Sequence, residues 1–467
     1  MNKLSNLGTE QLQEKDNHFI HPWEGMKSLG TNKRPIIKRA EGIYFYDSDG
    51  KKYIDGPGGM WCVNIGHGRE EIANAIRDQA LEMAYCSPWT EGSEPAALLA
   101  AKLAELAPGD LNNVFLTNSG STAVDSALRF MMFYNNVRGK PEKKHIISRH
   151  AAYHGSTYLA SSACGKERDK GFMDANTELF HFVSDPETYH RPDSIKDADW
   201  LDFLVQEFEN KILEIGPEKC AAFIGEPLLA SGGVSIPPKG YHKRILDVCH
   251  SHDMLYISDE VVTGFGRLGH FFASEAVFGI KPDMITTAKG LTSGYQPLGA
   301  LFISDELIKN ISGDDMPDSH FSNGFTYSGH PVACAAALKN IEIMEREDMN
   351  AYVREIGPYF QEQLQKLRDI PIVGDVRGIG LLGCVECEIS TADKASDESL
   401  TADYEIGNRI NQHCLELGLL VRPLINMCVF SPPLIITKEE IDTMIGILRT
   451  GIERAMEDVR KEGLWKG

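Results

Sequence analysis

Six short apolar runs, each closing on polar or glycine residues and separated by stretches of helical periodicity, constrain this chain more than any other feature. They are Asn113–Thr117, Lys144–Ser148, Ala221–Gly225, Met254–Ser258, Asp283–Thr287 and Leu298–Ser304. Buried strands alternating with helices predict βαβ units and a mostly parallel sheet, hence an α/β fold. In open sheets of this kind, ligands gather beyond the carboxyl ends of the strands. Those ends read Thr-Asn-Ser-Gly, Glu-Pro, Asp-Glu and Ala-Lys-Gly, so the chemistry is expected there.

The flanks read differently. Ile36–Ala40 and Ile43–Asp47, followed by DSDG and KKYIDG, have the pattern of short antiparallel strands with Asp-Gly turns. Helices are expected near Asp403–Gly418 and Lys438–Glu462, with strands near Gly380–Glu386 and Leu419–Leu424. This predicts a large central domain over 68–335 and a smaller one built from both chain ends, 1–67 and 336–467. Asp185–Asp199, polar with two prolines, reads as a surface loop.

A net charge of −20 argues against nucleic acid and anionic membrane as partners. The apolar share of 42% is enough for a sizeable core. The opening stretch, MNKLSNLGTEQLQEKDNH, carries neither the apolar core of a secretory signal nor an Arg-rich presequence. Apolar windows such as Ala96–Leu106 are too short to span a bilayer. Ten cysteines without regular spacing fit free thiols in a reducing compartment. The expected location is the cytoplasm.

Three motifs carry the chemistry. Thr117-Asn118-Ser119-Gly120-Ser121-Thr122 lies between a strand and a helix, where N–H and O–H donors can hold a phosphate. An ordinary helix cap reads the same way. Asp259, in Ile257-Ser258-Asp259-Glu260-Val261, stands where a carboxylate can keep a ring nitrogen protonated; a salt-bridged acid is the alternative. Lys289, in Thr286-Thr287-Ala288-Lys289-Gly290, follows an apolar run directly. That position suits an imine-forming amine, or a surface lysine whose stem lies on apolar surface. Phosphate anchor, ring acid and imine lysine in this order strengthen one another.

At this point the sequence resembles the class III (ω-type) aminotransferases of pyridoxal 5′-phosphate (PLP) fold type I. The matching segments are FLTNSGSTAVDSAL, HAAYHGST, AAFIGEPLLASGGVSIPPKGY, LYISDEVVTGFGRLG, PDMITTAKGLTSGYQPLGA, FTYSGHPVACAAAL and VRGIGLLGCVE. The resemblance implies a mostly parallel seven-stranded sheet in the large domain and a smaller α+β domain from the two termini. It implies that Lys289 holds PLP as a Schiff base and shuttles a proton, and that Asp259 pairs with the pyridinium nitrogen. Tyr153 and Val261 would flank the ring, Ser119, Gly120 and Ser121 would bind the phosphate, and Glu226 would order the site. Thr326 would reach a phosphate from the neighbouring subunit, which implies a homodimer with shared active sites. Thr122 and Val124 depart from the Glu and Asn that many members carry at the phosphate turn.

The same resemblance assigns Trp61 and Trp89 to the substrate pocket, the latter from the facing subunit, and Arg422 to a substrate carboxylate. Core or interface tryptophans and a surface salt bridge are the plainer alternatives. The implied reaction moves an amino group from an amine or ω-amino acid to a small 2-oxo acid, with pyruvate foremost, through pyridoxamine phosphate. An epimerase, aminomutase or decarboxylase of the same fold is the main alternative, and a non-catalytic dimeric binding protein the remoter one. No metal is expected. Gly264-Phe-Gly266-Arg-Leu-Gly269 fits a dinucleotide fingerprint but lacks the βαβ continuation. Cys384 and Cys387, three apart on a strand, face opposite ways. Cys249, His250 and His252 read as a helix end, and His67 and His330 as structural hydrogen-bonders.

Overall fold

The computed structural model describes residues 7–31, 33–389 and 397–465; the first six residues of the polar N-terminal stretch lie outside these. Near the N-terminus, strands β1 (Ile37–Glu41), β2 (Tyr44–Asp47) and β3 (Lys52–Asp55) form an antiparallel meander, turned at Gly42 and at Asp49-Gly50.

The central sheet has seven strands: β4 (Asn113–Thr117), β5 (His145–Arg149), β6 (Phe180–Val183), β7 (Cys220–Gly225), β8 (Leu255–Asp259), β9 (Met284–Thr287) and β10 (Gly299–Ile303). Their spatial order is β4-β10-β9-β8-β7-β5-β6. All neighbours run parallel except β10, which is antiparallel to β9 and to β4. The link from β9 to β10 is too short for the helical crossover that a parallel return demands, so the chain doubles back.

Alternation along the strands sorts the core into two layers. Ile146, Ala222, Ile224 and Ile257 pack against Val124, Ala127, Leu128 and Met131 of the helix Gly120–Val137. Ile147, Phe223 and Tyr256 turn to the other face, against Trp200, Leu204 and Phe208 of the helix Asp197–Ile215. With both faces covered, β7, β8 and β9 are buried at every position, which is why they read as continuous apolar runs.

The seventh strand, β6, escapes sequence reading. It is a four-residue edge strand with a histidine in it, and His181 Nε2 meets His145 Nδ1 at 2.8 Å across the ladder. The segment read as a surface loop after it is exposed only in part. Glu187 is buried and caps the Tyr189 and His190 amides, and residues from Asp197 onward are helical.

In the C-terminal part, β11 (Val373–Ile379), β12 (Leu382–Cys387), β14 (Arg422–Leu424) and β15 (Met427–Phe430) make a third sheet, while β13 (Leu419–Leu420) leaves it. Val421 divides the run expected as one strand. β13 instead pairs in parallel with Ile54 and Asp55 of β3, joining the two ends of the chain in one sheet. A buried cation ties these parts to the centre: Arg267 donates to the carbonyls of Leu381 (3.1 Å) and Pro432 (2.5 Å) and to Asn64 Oδ1 (3.0 Å). Among the described residues, no helix is long and apolar enough to cross a membrane.

Candidate active site

At the carboxyl edge of the central sheet, the chain ends of β4, β5, β7, β8 and β9 converge on a cavity of about 510 Å³. Each strand delivers one element. After β4, Ser119 caps the helix Gly120–Val137. Its hydroxyl accepts from the Thr122 amide (3.2 Å), and its own amide donates to Thr122 Oγ1 (3.0 Å). Thr122 thus closes a capping box in the place of the family's glutamate. Gly120 and Ser121 line the cavity at this helix N-terminus. A Cβ at Gly120 would stand 3.1 Å from Val261 Cγ1, so glycine keeps the backbone open to the space between them.

At the end of β8, Asp259 is buried and reaches inward. One carboxylate oxygen lies 2.7 Å from His154 Nδ1, and the other accepts from the Val261 amide at 3.1 Å. The second ring nitrogen of His154 faces Ser148 Oγ at 3.3 Å. After β5, the Tyr153 amide donates to Glu226 Oε1 (3.2 Å), and the Ala230 amide donates to Glu226 Oε2 (3.0 Å). Glu226, just past β7, therefore braces two loops that bound the cavity. Burial raises its carboxyl above the ordinary range.

Lys289 opens a tight turn just after β9 with φ +42, a left-handed conformation that costs a non-glycine residue on the order of 1–3 kcal/mol. The turn is held from outside: Asn340 Nδ2 donates to the carbonyls of Gly290 (2.9 Å) and Leu291 (3.0 Å). Gly290 packs on Asn64 where a Cβ would lie 2.3 Å from Nδ2. Lys289 Nζ sits 5.8 Å from the centre of the Trp61 ring. Among the described residues, no acceptor lies within hydrogen-bond distance of Nζ. Burial lowers its pKa, and Asp259 only partly opposes this.

The rest of the wall is aromatic and basic. Trp61 is buried, at φ +60, and its indole Nε1 has no hydrogen-bond partner among the described residues. Arg422, on β14, lines the cavity with Nε buried and without a partner among the described residues. Burial, and then the charge of Arg168, hold it below the usual arginine range. Trp23 lies over Tyr153, ring centres 5.8 Å apart.

Comparison with known proteins decides what this arrangement belongs to. A model of the family described as aminotransferase class-III matches residues 28–452. The putrescine–pyruvate aminotransferase of Pseudomonas aeruginosa is 36% identical over 97% of this chain and 98% of its own. The diaminobutyrate–2-oxoglutarate transaminase of Halomonas elongata is 39% identical over 92% of each chain. The solved omega transaminase from Pseudomonas jessenii, in complex with PMP, superposes with a TM-score of 0.91 at 35% identity, covering 96% of this chain and 99% of that one.

The chain belongs to the class III aminotransferases. It is therefore a PLP-dependent transaminase of fold type I, as the sequence resemblance implied. The cavity of this aminotransferase suits PLP on its own chemistry. A helix N-terminus with a side-chain-free first residue suits the phosphate, a buried carboxylate suits the ring nitrogen, and an unpaired lysine suits the aldehyde.

Of the residues singled out from sequence, Trp61, Gly120, Ser121, Tyr153, Glu226, Asp259, Val261, Lys289 and Arg422 line this one cavity, with Ser119 capping the helix beneath it. Trp89 and Thr326 do not line it. Trp89 is 65% exposed and borders a separate hollow with Phe321 and Gly324; the exposed Thr326 offers its carbonyl to Tyr85 Oη at 2.9 Å. Sequence reasoning passed over His154, although it adjoins Tyr153, because nothing local marks its contact with Asp259. It also missed Lys166 and Arg168, which no strand end announces.

The decoys resolve into structure. A Cβ at Gly266 or Gly269 would stand 2.6 Å from Leu434 or Arg354, so these glycines serve close packing. Cys384 and Cys387 are buried in β12. Cys249 is buried at the helix Tyr241–Ser251, while His250 meets Asp283 at 3.1 Å. His67 bonds Asp55 at 2.9 Å. His330 differs from expectation: its ring packs on Tyr85 and Tyr327, and its residue caps the helix Pro331–Arg346.

Proposed function

We propose that this aminotransferase moves an amino group from an amine or ω-amino acid to a small 2-oxo acid, with pyruvate the leading acceptor. The observation that carries this reading is the single cavity shared by Lys289, Asp259 and Arg422. Bound there, PLP supplies a protonated pyridine ring that takes up the electron pair released when the substrate's C–H bond breaks. Asp259 holds the proton on the ring nitrogen, and His154 keeps that carboxylate aimed. Lys289, short of a partner and desolvated, is a ready nucleophile in its neutral form and the base that carries the substrate proton. Ser119, Gly120 and Ser121 hold the phosphate, Tyr153 and Val261 flank the ring, and Glu226 fixes the loops bearing Tyr153 and Ala230. Trp61 lines the donor pocket, and Arg422 offers a fork to the carboxylate of the oxo acid.

The proposal includes a homodimer in which Trp89 and Thr326 complete the partner's site. It is supported by the exposed aromatic side chains Trp89, Tyr85 and Tyr327, the last two with ring centres 6.3 Å apart, since exposed aromatic surface marks interaction sites. A cytoplasmic location, with the domain limits 1–67, 68–335 and 336–467, completes the proposal. Ten unpaired cysteines and the β3–β13 pairing support these two points. The test is a half-reaction: an amine donor added alone should convert the PLP absorbance to that of the pyridoxamine form, and pyruvate should reverse it. No conversion with a broad donor panel would sink the reading.

A further inference from the structure

The cavity is lined by four lysine and arginine side chains: Lys166, Arg168, Lys289 and Arg422. The proposed reaction employs Lys289 and Arg422 and leaves Lys166 and Arg168 without a task. Both come from one short segment, the turn Glu167–Asp169 and the residue before it. Gly165 seats that segment. Its amide donates to the Ala152 carbonyl at 3.1 Å, and a Cβ there would stand 2.1 Å from the Arg149 carbonyl oxygen. No side chain fits against that backbone, so the segment lies directly on the loop that carries Tyr153.

Lys166 gives two of its three ammonium protons to Ser231, at 2.6 Å to the carbonyl and 2.8 Å to Oγ. The third has no acceptor among the described residues. Burial lowers the amine to about 8, so it still carries its charge at neutral pH. Arg168 is loosely held, with Nε 3.3 Å from Asp169 and Nη1 3.4 Å from Tyr404 Oη. Its Nη2 meets no protein acceptor among the described residues. Of the three carboxylates lining the cavity, Glu226 is held by two backbone amides and Asp259 by His154 and an amide, which leaves Asp169 beside the cations Lys166, Arg168 and Arg422. An anionic ligand group would relieve that imbalance with charge-assisted hydrogen bonds.

We infer that Arg168 and Lys166 form a second anion subsite, separate from Arg422, which receives the distal carboxylate of an ω-amino acid donor. This rests on the amino-transfer reading above and selects within its donor class. A plain amine offers nothing to their spare N–H groups, and a diamine brings like charge to them.

The test uses the PLP-loaded enzyme without oxo acid and follows cofactor absorbance with three donors of matched length: 4-aminobutyrate, butylamine and 1,4-diaminobutane. The parent should favour 4-aminobutyrate over butylamine by about tenfold in kcat/KM, with the diamine poorest. Arg168→Met should cut that preference to less than half through KM, and Arg168→Lys should restore much of it. Because a ratio is insensitive to the fraction of folded enzyme, a merely structural role would not move it. A parent preference below about threefold, or one that Arg168→Met leaves above half the parent value, overturns the inference. Calorimetric titration with butyrate, which has no amine to react, decides the subsite even where no donor turns over. Its Kd should rise about fivefold in Arg168→Met, and an unchanged Kd overturns the subsite. Failure of every donor with butyrate binding intact would instead sink the amino-transfer reading.

Discussion

The floor of the cavity and its outer wall are built to opposite rules. On the floor, the capping residue and the carboxylates are engaged: Ser119 by its capping box, Asp259 by His154 and an amide, Glu226 by two amides. On the wall, Trp61 Nε1 and Arg422 Nε are buried without partners among the described residues, and there Lys166 and Arg168 keep N–H groups in reserve. A saturated network fixes geometry, whereas orphaned donors cost stability unless a ligand satisfies them. The difference teaches where this protein is rigid by itself and where it is complete only with a substrate. Lys289 straddles the two: its backbone turn is held by Asn340, and its amine has no acceptor among the described residues.

Breaking the floor should do most damage. Lys289→Ala should retain PLP without a covalent link and lose turnover by several orders of magnitude, on the scale expected when a nucleophilic group is removed. Borohydride trapping followed by peptide mass spectrometry should label the Lys289 peptide in the parent only. Asp259→Asn should lower kcat by about a hundredfold or more, and His154→Gln by about tenfold, since histidine acts through the carboxylate. Steady-state kinetics on matched cofactor loading would check both, and equal losses would put His154 in direct contact with the chemistry.

Substitutions on the wall sharpen the comparison with smaller effects. Arg422→Ala should raise the pyruvate KM by about tenfold with kcat little altered, the mark of lost ground-state binding. Thr326→Ala should weaken PLP retention about threefold although the residue is exposed on its own chain. Retention equal to the parent's in a dialysis assay would confine the phosphate grip to one subunit.

The smallest effect concerns pH. Lys166 titrates lower in the folded protein than in the unfolded chain, so the unfolded state binds more protons between about pH 8 and the ordinary lysine pKa. Stability should therefore rise across that window from this group, and Lys166→Met should flatten the rise. Parallel thermal-melt profiles for parent and variant would refute it.

Much of this was legible in the chain, for identifiable reasons. The doubly covered strands β7 to β9 announce themselves as unbroken apolar runs, and their polar ends locate Asp259 and Lys289. The edge strand β6 is too short and too polar to give either signal. The reversal of β10 is legible only as a link too short to cross over. Lys166 and Arg168 stay hidden because the close approach of Gly165 to the Arg149 and His150 carbonyls, which brings their segment to the cavity, leaves no mark in the local sequence. The His154–Asp259 contact spans 105 positions and has no local trace.

The pairing of Leu419 and Leu420 with Ile54 and Asp55 has a consequence for biogenesis. During synthesis the first sheet waits, lacking its fourth strand, until Leu419 and Leu420 have left the ribosome. Its β3 edge is exposed to wrong partners for that interval. The Trp61 segment follows directly from that edge, so the substrate side of the cavity is among the last parts of the molecule to mature.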